Sequence, residues 1–172
     1  MLDTMDGVTG HSTDLRDPLH RPSSKAPLVW ALGAAIPWVV VLIGLAIWFV
    51  LDDWLRWVQV AAFAVAVVCA VVSVGVVPVW RYRVHRWEIS DQAVYTRTGW
   101  LTQERRIAPI SRVQTVDTYR GPLDRLFGLA NVTVTTASSA GAVQIVALDS
   151  AVADDIAARL TDIAALGGSD AT

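Results

Sequence analysis

The sequence predicts a membrane α-helical hairpin of two spanning helices, followed by a mainly-β domain that a C-terminal helix caps. Three observations predict it. Two long runs, 27–51 and 58–80, are almost free of polar side chains. Between residues 83 and 148, short stretches rich in Val, Thr and aromatic residues alternate with turn residues. From Ser150 onward the apolar spacing becomes that of one helix face. Composition agrees: 53% of the 172 residues are apolar and 17% charged, too oily for an ordinary soluble domain and too uneven for one wholly embedded in lipid.

Residues 1–26 are polar and of mixed charge and read as a disordered tail, with His11 and His20 in solvent. The first run, PLVWALGAAIPWVVVLIGLAIWFVL, has no charged side chain over 25 positions. A helix needs about 20 residues to cross ~30 Å of hydrocarbon, so it spans with tilt to spare. It is too long for the apolar part of a signal peptide, and WFVLDDW offers no small-residue cleavage site. The second run holds Gln59 as its one strongly polar side chain. The connector, DDWLRW, is so short that only an antiparallel hairpin fits.

Tryptophans mark both interfaces: Trp30 and Trp80 at one end, Trp48, Trp54 and Trp57 at the other. Trp38 lies inside the first span beside Pro37, which is expected to remove a helical hydrogen bond and kink the helix. Arg16, Arg21 and Lys25 precede the hairpin and Arg81, Arg83 and Arg86 follow it, whereas the connector has only Arg56 against Asp52 and Asp53. That asymmetry predicts a multi-pass protein of the cell inner (plasma) membrane with N and C termini cytoplasmic. Ala62, Ala66 and Ala70 recur every four residues, a stripe that lets helix backbones approach closely, and the first span offers Ala31 and Ala35 in kind. Neither span has an ionisable residue at its centre, so a charge-based ion pathway has no visible parts.

Six strands are expected next, at 83–89, 94–98, 100–108, 112–119, 131–136 and 143–148. Val132 and Val134 point one way and Thr133 and Thr135 the other, as in a half-buried antiparallel strand. Six such strands imply a sandwich or partly open barrel. Between the fourth and fifth lies RGPLDRLFGL, a single helical turn. Pro122 suits its first position, and Gly128 can take the left-handed conformation that stops it. Leu123, Leu126 and Phe127, at i, i+3 and i+4, are expected to form one face, a structural plug over the end of the barrel core. In the last helix Ser150 is placed as the cap, Val152, Ile156, Leu160 and Ile163 as the buried stripe, and Gly167–Gly168 as the end, leaving a tail at 167–172.

The segment RRIAPISRVQTVDTYRGPLDRLFGLANVTVTTAS resembles the signature of the bacterial pleckstrin-homology membrane proteins, the YdbS-like group. The shared pattern is the apolar-Pro-x-x-Arg-apolar-Gln segment at 107–114, the GPL-x-R-L-F-G-L turn at 121–129 and the Val/Thr strand at 131–136. The resemblance implies a pleckstrin-homology-like barrel over 81–166 capped by its C-terminal helix. It also implies a possible partner in a larger relative with repeated domains of this type.

Residues 81–125 carry nine Arg against five acidic side chains, net +4, and residues 126–172 one Arg against five Asp, net −4. A basic half tethered to a bilayer would sit in the negative potential of the cytoplasmic leaflet, so Arg83, Arg86, Arg105, Arg106, Arg112, Arg120 and Arg125 are candidate contacts for anionic lipid or a protein partner. Catalysis has little support. His85 is the one histidine of the domain, read on the first strand, and no nucleophile with a base, phosphate loop or metal-ligand spacing is visible. The single Cys69 excludes an intrachain disulfide. The reading is therefore a non-enzymatic membrane protein with no cofactor and no nucleic acid, displaying its β-domain as an independently packed module at the cytoplasmic face. It would serve protein assembly, with itself or another protein. Anionic-lipid binding is the alternative, and a role as accessory subunit of a transporter or channel the second alternative.

Overall fold

A computed structural model of the chain describes residues 18–90, 92–99, 102–137 and 141–169. Two helices, α1 (Ala26–Leu51) and α2 (Arg56–Val84), are long and apolar enough to cross a membrane. Asp52 organises the link between them: its carboxylate accepts the Trp54 backbone N–H at 2.8 Å and the Trp48 indole N–H at 3.3 Å. Its carbonyl accepts the Gln59 side-chain amide at 2.8 Å, whereas the Oε1 of this buried residue has no partner among the described residues. Arg56 pairs with Asp53 and lies 4.2 Å over the Phe49 ring.

The helix α1 runs unbroken through Pro37. Helix α2 contains a π-helical stretch, Val72–Val76, that runs into Pro78. Proline has no N–H for the preceding turn and its ring collides with the carbonyl four residues back, so the helix widens there. The alanine stripe is spent inside the hairpin: Ala66 is buried and Ala62 and Ala70 are half-buried where α2 packs on α1. The half-buried residues of α1 on that side include Ala31, Ala35 and Trp38.

Helix α2 also outruns its expected end at residue 80. The basic residues of its last turn favour the negative end of the helix dipole. His85 is thus the residue that ends the helix, its N–H donating to the Arg81 carbonyl at 3.0 Å, and not part of a strand.

The β-domain has two three-stranded antiparallel sheets. One is β1 (Arg86–Ile89), β2 (Ala93–Gly99) and β3 (Gln103–Pro109); the other is β4 (Val113–Tyr119), β5 (Leu129–Thr136) and β6 (Val143–Asp149), each in sequential order. All six expected strands are present, and among the described residues no ladder closes the two sheets into a barrel. Gly99 makes the β2–β3 turn possible. Its φ of +118° is closed to L side chains, and a Cβ there would lie 1.9 Å from the Thr102 carbonyl oxygen.

Helix α3 (Pro122–Phe127) connects β4 to β5 within the second sheet, and α4 (Ser150–Ser169) follows β6. The core lies between the sheets and α4. It includes Val94, Ile110, Val132, Val134 and Ile145 with Ala153, Ile156 and Leu160. The expected stripe of α4 holds at Ile156, Leu160 and half-buried Ile163, and differs only at its first position, where Ala153 is buried and Val152 exposed. Ser150 is the first helical residue, its N–H donating to Gly128 O at 2.9 Å, and the helix continues through Gly167–Gly168.

The expected disordered tail is corrected over residues 18–25; residues 1–17, with His11, lie outside the described residues. His20 and Trp87 exchange both backbone hydrogen bonds, at 3.0 and 2.9 Å, and their rings stack at 4.8 Å. Three residues on, Ser23 N–H donates to Ala147 O at 2.8 Å, and its hydroxyl to the Asp149 carboxylate at 2.8 Å. The chain before α1 thus stitches β1 of one sheet to β6 of the other. It also places the start of the hairpin and the β-domain on the same side.

Candidate functional site

The stretch RGPLDRLFGLAN builds the joint between domain and hairpin. Asp124, at the third position of α3, accepts the Gly121 backbone N–H at 3.0 Å, which secures the start of the helix. The same carboxylate accepts the Asn131 side-chain amide at 2.9 Å. Asn131 in turn accepts the Ala147 N–H at 2.8 Å. Ala147 sits at φ 54°, a left-handed conformation that costs an L-residue about 1–2 kcal/mol. The twist turns its N–H to Asn131 and its carbonyl to Ser23, so the strained residue fastens the chain entering α1.

Around this network Ala26, Val29, Leu129 and Ala147 form a small buried cluster, with Trp30, Tyr82, Leu123 and Phe127 packed against it. Both spanning helices contribute to it. Lys25 caps the contact by donating to the Phe127 carbonyl at 3.2 Å.

The expected plug takes a different form. Leu123 and Phe127 face the base of α1, not the core between the sheets, and Leu126 is 76% exposed. At 3.6 residues per turn Leu126 lies about 100° around the helix from Phe127, too far to share a face buried on only one side. A Cβ built on Gly33 would touch the Leu123 side chain at 3.7 Å, so α3 reaches up to the second turn of α1. The domain is not an independently packed module: part of its apolar surface is covered only by the hairpin.

The candidate arginines do not converge. Arg120 forms a two-oxygen ion pair with Asp154 of α4, at 2.7 and 2.8 Å. Arg83, Arg105, Arg112 and Arg125 are exposed on separate elements, and Arg86 is half-buried on β1. Arg106 enters a cleft, joined there by Arg81, which the sequence offered only as a topology signal, and Arg86 lines the hollow adjoining it.

That cleft, of about 370 Å³, lies where β2 and β3 of one sheet face β6 of the other, under the end of α2. Arg81, His85, Thr98, Glu104, Arg106 and Gln144 line it. Arg106 is held by Glu104 at 2.7 Å and by the Ala142 carbonyl at 3.0 Å. Arg81 stacks 4.4 Å over the Trp30 ring. His85 is 5% exposed, and burial, followed by the charge of Arg81, holds its pKa below the usual histidine value against the opposing pull of its hydrogen bond to the Arg81 carbonyl. Because a carbonyl only accepts, the 2.8 Å contact makes Nδ1 the donor and leaves Nε2 of the neutral ring an acceptor.

The bacterial PH domain family matches residues 27–164, spanning hairpin and β-domain together. The chain belongs to that family. It is also similar to the UPF0699 transmembrane protein YdbS of Bacillus subtilis (strain 168), 30% identical over 152 residues that cover 84% of this chain and 96% of the relative. No solved structure matches it.

The family match spans both halves, in accord with a joint that needs both. Sequence reasoning missed Asp124, Asn131, Ala147 and Ser23. Asp124 and Asn131 had a signal, being the polar residues of an otherwise apolar turn and the strand start after it; Ala147 and Ser23 had none.

Proposed function

We propose that the protein is a non-enzymatic subunit of a membrane assembly, with its PH domain and both termini at the cytoplasmic face of the inner (plasma) membrane. The observation that carries the reading is the joint. The buried cluster and the Asp124–Asn131–Ala147–Ser23 chain of hydrogen bonds fix the domain's height and angle above the hairpin. Such mounting suits a surface that must meet a neighbour in the same membrane. The surface best suited is the outer edge of β3, which pairs with no strand among the described residues and exposes Ile107 by 48%. Edge strands are templates for pairing with another chain. The basic flanks of the hairpin support the cytoplasmic side.

The test is a photo-crosslinking residue placed at Ile107, with one at exposed Asp162 of α4 as comparison, in intact cells. A discrete protein adduct from position 107 is expected. Its absence at every expression level overturns the assembly reading.

A further inference from the structure

Helix α3 packs alongside the base of α1, at a level where a spanning helix is surrounded by lipid. We propose that this short helix is a third membrane contact of the chain. It lies in the boundary between headgroups and acyl chains of the leaflet on the domain's side, with Leu126 immersed in the acyl margin. The inference rests on the hairpin spanning the bilayer and not on the assembly role.

The depth is set by α1. Its 26 residues are about 39 Å long, against ~30 Å of hydrocarbon and ~40–45 Å with both headgroup layers. Trp30 marks the interface on the domain's side, and Gly33 lies about 4.5 Å deeper along the helix. Leu123 reaches the level of Gly33, since a Cβ built there would touch its side chain at 3.7 Å. The other end of α3 stays near the start of α1, where Lys25 Nζ donates to the Phe127 carbonyl at 3.2 Å. Leu126 is bracketed between those two levels. Interfacial helices sit about 5–10 Å into this boundary, and the six residues of α3 span only about 9 Å.

The surface of α3 suits the place. Leu126 is 76% exposed, more than any other large apolar side chain of the β-domain among the described residues. Asp124, the side chain that would oppose immersion, turns inward to the Gly121 N–H and the Asn131 amide. Arg125 is exposed, and its long stem lets the guanidinium reach the polar side. Tyr119, also exposed, has its ring 3.8 Å from a Cβ built on Gly121, at a level where a ring with one wet end belongs. Continuity with the hairpin names the occupant. At the same levels α1 exposes Leu28 and Leu32, and the lipid that surrounds the hairpin covers them and Leu126 alike.

Spin labels on the full chain in phosphatidylcholine vesicles test the inference, with the exposed Cys69 changed to Ala. The quantity read is the ratio of collisions with oxygen, which gathers in hydrocarbon, to collisions with a water-soluble nickel chelate. Labels go at Leu126→Cys, at Val40→Cys in mid-span, and at Asp162→Cys, exposed far along α4. The ratio should be highest at 40 and lowest at 162, with 126 between them and several-fold above 162. A ratio at 126 equal to that at 162, with 40 still oxygen-rich, overturns the immersion and leaves the spanning hairpin standing. A water-like ratio at 40 overturns the spanning reading and the inference with it. Poor access of both reagents to 126 means that a second protein chain covers α3, and overturns it. So does a high ratio found only when phosphatidylglycerol is added, which would assign the contact to headgroup charge. Should the label at 126 disturb the joint, Arg125→Cys, its exposed neighbour, is read against the same two controls.

Discussion

Strands β5 and β3 are eight and seven residues long, and their environments are opposite. β5 buries Leu129, Ala130, Val132, Val134 and Thr136; β3 buries Ala108 alone. β5 pairs on both sides, has α4 over its core-facing residues, and begins in the joint with the hairpin. Among the described residues β3 is a sheet edge with one partner strand. The sheet of β5 fixes the domain to the membrane, and the sheet of β3 leaves a surface in reach of other molecules. Stability should therefore be sensitive to changes in the first and indifferent to changes in the second.

The largest effect is expected at Leu129, fully buried between hairpin and domain. Leu129→Ala should cost about 2–5 kcal/mol, through lost burial and the cavity left behind. Thermal melting of the detergent-solubilised full chain reads it. A loss below half a kcal/mol would mean that the joint contributes nothing to holding the two parts together. Asp124→Ala comes next. It removes the acceptor of the Gly121 N–H and of the Asn131 amide, and stranding such donors costs about 1–3 kcal/mol. Asp124→Asn keeps one acceptor oxygen and should recover part of the loss.

His85 sharpens the comparison through pH. Its folded pKa lies below the ordinary 6.5, so below that value the unfolded chain takes up the proton more readily than the folded one. Stability is thus complete above pH 6.5 and declines as pH falls from there through the folded pKa. Melting of the full chain between pH 7.5 and 5 should show the decline, and His85→Gln should flatten it over the part of that range near 6.5. An equal decline in the variant would assign the effect to other groups.

Hydropathy, turn residues and a family signature made much of the architecture legible. The two spans extend over 20 residues and the strands carry their own alternation, so local pattern suffices for both. What stayed hidden depends on pairing across the chain. PLHRPSSK reads as a polar tail, because two backbone hydrogen bonds from His20 to a strand 67 residues away leave no periodic trace. Leu123, Leu126 and Phe127 read as one buried face, of which Leu123 and Phe127 are half-buried and Leu126 exposed; a single turn cannot say whether a membrane helix or a β-core covers it. The alanine stripe was legible as a packing face, and only the fold shows α1 as its partner. The arginines were countable, yet their scatter over separate elements follows from the two-sheet topology and not from composition.

Two small effects complete the contrast. Arg120 and Asp154 pair on the surface with side chains 38% and 62% exposed, so Arg120→Ala should cost only about 0.2–1 kcal/mol. Ile107→Ser on β3 should change stability by less than about 0.5 kcal/mol, because the residue is half exposed on an edge and buries little. It should nonetheless abolish adducts formed through the β3 edge from a crosslinker at neighbouring Arg105. The two measurements have to part company at this position: the side chain does little for the fold, and the assembly reading makes it a contact with another chain. If Ile107→Ser instead melts the protein as severely as Leu129→Ala, β3 belongs to the structural half of the domain, and the division between a fixed sheet and a presenting sheet fails.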